Sequence, residues 1–576
     1  MNNSTSDTHF DAVVVGSGFG GSVTAYRLAE AELSVCVLER GKAYPPNSFP
    51  RAPHRMKKNF WDPSEGLYGM YNVWSFDELG SVVCSGLGGG SLIYANVLIR
   101  KDERWFVKED VNDGGYEYWP VTRADLDTHY DRVEKMLGAQ RYPFDKEPYN
   151  ETPKTREYKA AAERLGLDWE LPKLAVTFAN EGEDPMPGEP IKEKHKNLHG
   201  RTRYTCRLVG ECDAGCNFGS KNTLDYNYLS EAERQGAEIR TLCEVRSFEP
   251  RPLEGGYAVH YVQHDLAREG HKIDTSILQE HTITADRLIL SAGTLGSTFL
   301  LLKNRDRFPG LSDRLGTRFC GNGDLITFAM RSKKEIGGEK QPRLIDAGYG
   351  PVITSRVRVA DQEDDDGGEG RGFYVEDAGY PEFVNWMLET VDAPADAVRA
   401  IWNWSGATKW LLDKLLSREP ETDIGAEVTR LLGSTELSAG LLPLLGMGRD
   451  IPDGKMELRG EKMNVDWRVE NSASYFERVR ETMRYIAEDG LEAEFSDPLD
   501  RLNRLVTVHP LGGCPMGREK TEGVVGPYGE VFGHPGLYIA DGSVMPGPVG
   551  PNPSLTIAAL ADRFADRIVE QRGAQG

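Results

Sequence analysis

The chain has 576 residues, 39% hydrophobic and 27% charged, with a net charge of −22 at pH 7. That length exceeds what one hydrophobic core supports, so two or three domains are expected. The charge opposes a nucleic-acid partner, whose phosphates such a surface repels, and no run approaches the ~18 uncharged apolar residues of a membrane span.

The opening MNNSTSDTHF is polar, with no basic start, apolar core or small-residue cleavage site. No secretory signal is therefore expected, and the cytoplasm is the expected location. Eight cysteines are too few for a disulfide scaffold of this size, so reduced thiols are expected.

Residues 10–15, FDAVVV, read as a buried parallel strand. Gly16-Ser17-Gly18-Phe19-Gly20-Gly21 follows, then the helical SVTAYRLAEAE and a second strand, SVCVLER, which contains Glu39. This is Gly-x-Gly-x-x-Gly between strand and helix, with an acid 18 residues past the last glycine. Glycines let the backbone turn tightly against a pyrophosphate, the helix N-terminus offers unpaired N–H groups, and Glu39 accepts from a ribose hydroxyl. The motif alone leaves the choice between NAD and FAD open.

Residues 84–98, CSGLGGGSLIYANVL, offer a second glycine-rich turn, Gly88–Ser91, at which backbone can lie against a ligand. Cys206, Cys212 and Cys216 are spaced C-x5-C-x3-C, without the C-x2-C pairing of zinc or ferredoxin sites. They read as buried thiols beside the cofactor, and no metal is expected. GCNFGS then leads into KNTLDYNYL (221–229), and ADRLILSAGTLGSTFLLL (285–302) gives strand, glycine turn and helix. The acidic run DQEDDDGGEG (361–370) reads as a solvated loop.

Residues 383–447 show helical periodicity and carry Trp386, Trp402, Trp404 and Trp410. They read as a helical insert, either a cap packed inward or a lid whose outer face touches lipid. Near the end come TVHPLGGCPMG (507–517) and LYIADGSVMPGPVGPNPSLTIAALA (537–561).

HPLGGC, the GSVMPGPVGPNPSLTIAALA tail and KNTLDYNYL carry a resemblance to the glucose–methanol–choline (GMC) oxidoreductase family, within it the cholesterol oxidase-like branch, over nearly the whole chain. The resemblance implies an α/β fold, in which a Rossmann-type FAD-binding domain is interleaved with a substrate domain of mixed or antiparallel sheet plus helices. The FAD-domain pieces are expected at 8–44, 75–100, 200–305 and 505–576. The substrate side is expected at 45–74, 101–199 and 306–504, with the helical insert at 383–447.

It also implies FAD as cofactor and assigns its contacts. Gly16, Gly18, Phe19, Gly20 and Gly21 lie at the pyrophosphate and Glu39 at the ribose. Gly88, Gly89, Gly90 and Ser91 approach phosphates and isoalloxazine, and Gly293 lines the same cleft. Val245 meets adenine through its backbone, Asp541 contacts ribityl or pyrophosphate oxygens, and Asn552-Pro553 lies near the flavin. Where cholesterol oxidases have Asn-Gly-Gly after GGGSL, this chain has Ile-Tyr-Ala-Asn (93–96), so Tyr94 or Asn96 is expected near flavin N5.

Oxidising an alcohol through flavin needs a group for the hydroxyl proton and donors that orient the hydroxyl. His509 and Asn552 are the matching pair: an imidazole can accept a proton, whereas an amide can only hydrogen-bond. Glu376, in FYVEDAGYPEF, matches the family's active-site carboxylate, which can move a proton from C4 to C6 of a 5-ene-3-ketone. The competing reading is a surface acid on an edge strand.

The expected substrate is a hydrophobic alcohol, a 3β-hydroxysteroid first, with a long-chain or lipid alcohol as the rival. A flavin-bearing ketosteroid isomerase and a non-catalytic FAD-binding protein are further alternatives. O2 or another electron acceptor, transient contact with a membrane surface, and a monomer or homodimer complete the expectations.

Overall fold

The computed structural model describes residues 9–51, 57–107, 110–111, 115–364, 368–381, 439–498, 500 and 504–573. Two sheets organise them.

The first is built on β1 (His9–Val15), β2 (Val35–Leu38), β3 (Glu238–Arg240), β4 (Cys243–Pro250), β5 (Tyr257–Gln263) and β6 (Glu280–Leu290), in the order β3-β2-β1-β6-β5-β4. β3, β2, β1 and β6 run parallel, and the strand Leu537–Ile539 adds to β6 in parallel. β5 and β4 extend the sheet as an antiparallel hairpin. The parallel strands are almost wholly buried, which is why VVV and VCVL are unbroken apolar runs. Helix α1 (Phe19–Glu30) follows β1 and buries Val23, Ala25 and Leu28.

The second sheet is antiparallel throughout. Its centre is β7 (Leu325–Met330), β8 (Arg356–Val359), β9 (Phe373–Asp377) and β10 (Leu442–Gly448), in the order β8-β9-β10-β7, with Asp168–Glu170 and Glu494–Ser496 at the edges. β9 is therefore an interior strand, buried at all five positions. Glu376 is 0% exposed, so the edge-strand reading of this acid does not hold.

Two sequence expectations change. Residues 442–447 of the expected helical insert form most of β10. Pro443 and Gly446 disfavour a helix there, and an apolar run packed between β9 and β7 satisfies a central strand as well as it would a buried helix. Residues 383–438 of the insert, with its four tryptophans, lie outside the described residues. The acidic run is also not solvated at its start: Asp361 is fully buried, accepts from Gly372 N at 2.5 Å and pairs with buried Arg449 at 2.7 Å.

Candidate active site

The two glycine turns meet. A Cβ on Gly89 would lie 2.5 Å from the Cα of Gly18, so only glycine allows this approach. Ser17 knits the junction, because its hydroxyl donates to Glu39 at 2.6 Å while accepting from Gly88 N at 3.0 Å. Glu39 also accepts from Ser17 N at 3.0 Å and Gly41 N at 2.8 Å. β4 starts against the same acid, with Cys243 N donating to Glu39 O at 2.8 Å, which brings Val245 alongside.

A cleft opens at this junction. Added Cβ atoms on half-buried Gly18 and exposed Gly90 and Gly293 would meet nothing within 4 Å, although Ser17, Phe19, Gly89, Ser91 and Thr294 beside them are buried. Helix α1 begins at Phe19 with Gly18 as its uncapped N-terminus, so its first N–H groups are available to an anion. Gly20 and Gly21 instead pack against backbone: their Cβ atoms would sit 1.4 Å from Ala540 O and 2.1 Å from Gly16 O. Of the glycines expected at the pyrophosphate, Gly18 faces the opening and Gly21 secures the helix against the turn.

Ser91 is turned inward, donating to Gly88 O at 2.7 Å and accepting from Leu224 N at 3.1 Å, so its hydroxyl serves the turn. The Asp541 carboxylate accepts from Gly293 N, Ser297 Oγ, Ser543 N and Ser543 Oγ, at 2.5–3.0 Å. Four donors occupy it, and its structural effect is to fix the turn at the cleft. The Tyr94 ring packs edge-on to Phe19 at 5.4 Å and lies 4.8 Å from Lys221 Nζ. Asn96 is fully buried in a left-handed conformation (φ 71°), beside the Cys212 thiol.

Lys221 Nζ donates to Leu92 O at 3.0 Å and Cys212 O at 2.6 Å, tying the cysteine segment beneath the second turn. Cys206 and Cys212 are buried, Cys216 is half-buried, and none forms a disulfide. Among the described residues, His129, Asp562 and Asp566 are close enough to share an ion, but Arg27 and Arg132 already pair with both aspartates.

The reactive end is built by the loop 545–552 and the turn 321–324. Asn552 Nδ2 donates to Glu376 Oε2 at 3.4 Å, and both side chains are buried. Asn552 Oδ1 and Glu376 Oε1 have no protein partner. Burial pushes the Glu376 carboxyl up to about 8; the Asn552 amide opposes this, and nearby Asp377 and Asp324 add to it. His509 Nδ1 lies 2.7 Å from Asp324 Oδ1.

Three residues that the sequence did not single out hold this arrangement. Asn322 donates to Gly550 O and Pro551 O, each at 3.2 Å, and accepts from Gly550 N at 2.9 Å. Fully buried Lys101 donates to Pro548 O at 2.9 Å and Val549 O at 3.1 Å, and burial pulls its ammonium down to about 7. Asp324 sits beneath His509. The 322–324 segment reads in sequence as an ordinary turn, and Lys101 carries no signal in a polar stretch. Glu376, Asn552, Asp324 and His509 thus converge from β9, the 545–552 loop, the start of β7 and the 507–511 segment.

The residues present fit FAD: an open glycine-lined cleft at a helix N-terminus, an acid at the end of β2, and β4 beside it. Fold and site together define a dinucleotide-dependent oxidoreductase.

Residues 461–561 match the GMC oxidoreductase C-terminal model, and residues 14–44 match an NAD(P)-binding Rossmann-like domain. A cholesterol oxidase of Mycobacterium tuberculosis is 31% identical over 96% of this chain and 90% of its own length. A long-chain-alcohol oxidase of Arabidopsis thaliana is 24% identical over 97% of this chain and 67% of its own. A solved structure of Aspergillus oryzae formate oxidase shares the fold, with a TM-score of 0.58 at 15% identity, covering 99% of this chain and 100% of that one.

The chain belongs to the GMC oxidoreductases, on their cholesterol oxidase-like branch. FAD is its cofactor and an alcohol its electron donor. No helix among the described residues is long and apolar enough to cross a membrane.

Proposed function

We propose that the protein oxidises a 3β-hydroxysteroid to the 3-ketone and moves a 5-ene double bond to the 4-position. The observation that carries this reading is the buried Glu376–Asn552 pair, with Glu376 Oε1 and Asn552 Oδ1 left without protein partners. The similarity to a cholesterol oxidase supports the steroid, and the similarity to a long-chain-alcohol oxidase keeps a fatty alcohol as the second reading.

On this reading Gly18, the α1 N-terminus, Glu39, Val245 and the Gly88–Ser91 turn hold FAD, which supplies a two-electron acceptor when bound. His509 takes the hydroxyl proton, and the Asn552 amide orients the hydroxyl oxygen. Glu376 in its ionised form takes a proton from C4 of the 5-ene-3-ketone and returns it at C6. A carboxyl near 8 is a stronger base, once ionised, than one at its ordinary value.

The test is to give the FAD-loaded protein a 5-ene-3-ketosteroid directly. Conjugated enone should form without net flavin reduction, and Glu376→Gln should abolish this while still oxidising the 3β-alcohol. Failure of the unaltered protein to isomerise would remove Glu376 from the chemistry and favour the fatty alcohol.

A further inference from the structure

The turn Asn322–Asp324 is held in an uncommon shape. Asn322 (φ 54°) and Gly323 (φ 68°) are both left-handed, and Gly323 O accepts from the buried Tyr475 hydroxyl at 3.0 Å. A Cβ on Gly323 would lie 2.1 Å from that hydroxyl, so the surroundings fix the turn closely. From this turn Asn322 reaches the loop carrying Asn552, while Asp324 reaches His509.

Asp324 is 3% exposed and meets four partners. Its Oδ2 accepts from Thr507 Oγ1 at 2.8 Å, Val508 N at 2.8 Å and His509 N at 3.1 Å, and its Oδ1 lies 2.7 Å from His509 Nδ1. Two of these partners are peptide N–H groups, which can only donate, so Oδ2 is an acceptor. A carboxylate then accepts at Oδ1 as well, and the imidazole proton sits on Nδ1. The two neighbouring buried acids lack such a donor set. Asp450 has one backbone donor, Gly321 N at 2.9 Å, and Glu376 has the Asn552 amide at 3.4 Å; burial pushes each up to about 8. Of the buried acids around this turn, Asp324 alone has a carboxylate oxygen met by three donors.

We propose that Asp324 is the positioning residue of the oxidation: it fixes His509 in the Nδ1–H tautomer and makes Nε2 the atom that takes the alcohol proton. This rests on the assignment of His509 as the alcohol's base. The O–H bond breaks toward Nε2, the carbinol hydrogen leaves as hydride with its electron pair to the bound flavin, and the alcohol becomes a ketone. The resulting imidazolium faces the Asp324 carboxylate, which compensates its charge.

Asp324→Asn inverts this arrangement with little change in shape. Three donors converge where Oδ2 lies, so the amide must place its oxygen there and its NH2 toward His509 Nδ1. That nitrogen must then accept, and the imidazole proton moves to Nε2.

Holoenzyme labelled with ¹⁵N-histidine, with His509 assigned by its loss in His509→Gln, should show a protonated Nδ1 and a bare Nε2. In Asp324→Asn the two nitrogens should exchange character. Anaerobic flavin reduction should fall at least about a hundredfold, with FAD content and KM nearly unchanged. A proton on Nε2 in the unaltered enzyme overturns the proposal, even if the variant does not fold. So does an unchanged tautomer, or a rate within a few-fold, in a folded Asp324→Asn. Failure to oxidise any alcohol would instead refute the proposed reaction, and the nitrogen signals would still decide the role of Asp324.

Discussion

Replacing Glu376 by Gln should reveal how strongly the fold disfavours this carboxylate. Burial is the main cause of its rise from the ordinary 4.5 to about 8, outweighing the Asn552 amide that favours the charge. A carboxyl raised in the folded state gives stability that is fully present below 4.5 and lost as pH climbs through about 8. At about 1.4 kcal/mol per tenfold change in proton affinity, ionised Glu376 costs the fold about 5 kcal/mol above that range. Gln carries no such pH-dependent cost. The stability difference should therefore move toward the Gln variant by about 4 kcal/mol between about pH 5 and about pH 9. Guanidinium unfolding of both FAD-loaded proteins across that range measures it, with other pH effects cancelling in the difference. A difference that stays flat with pH would mean that Glu376 is ionised and well solvated in the folded protein, and the proton-shuttle argument would lose its physical basis.

Three further substitutions probe separate parts of the site. Gly18→Val should fold yet retain no FAD, because its side chain enters the open cleft, whereas Gly20→Val should fail to fold against Ala540 O; both should lack flavin absorbance, and circular dichroism should show only Gly18→Val folded. His509→Ala should keep its FAD and lose at least about a hundredfold in the rate of flavin reduction, measured by rapid mixing. Arg449→Met removes a cation that the buried acids Glu117 and Asp361 meet at 3.1 and 2.7 Å, leaving Glu117 only Arg371 and Asp361 only backbone donors, and should destabilise by about 3–5 kcal/mol in denaturant unfolding.

The glycine junction proposed to hold the cofactor was legible in the sequence because its requirements are local. Gly89 must be glycine to lie against Gly18, Gly20 and Gly21 must be glycine where the helix start packs on backbone, and the acid of a strand–turn–helix unit must lie one strand further on, at Glu39. His509 and Asn552 were legible through the motifs around them. Asp324 was not, because its bond to His509 spans 185 residues and an isolated Asn-Gly-Asp reads as an ordinary turn. Lys101 was hidden in the same way, since its two carbonyl partners lie 447 and 448 residues on. β10 was misread because LLPLLGMG is apolar on both faces, and only its pairing with β7 and β9 resolves strand from helix. Asp361 heads an acidic run that looks solvated, and its burial depends on Arg449, 88 residues later.

The most direct measurement is anaerobic mixing of the FAD-loaded protein with cholesterol, and separately with a long-chain primary alcohol, while the visible absorbance of oxidised flavin is followed. Cholesterol should bleach the flavin in a single turnover, faster than the fatty alcohol, and His509→Ala should remain yellow on the same timescale. A flavin that stays oxidised with both alcohols would contradict alcohol oxidation at this site, and one that bleaches equally fast without His509 would contradict its role as the base.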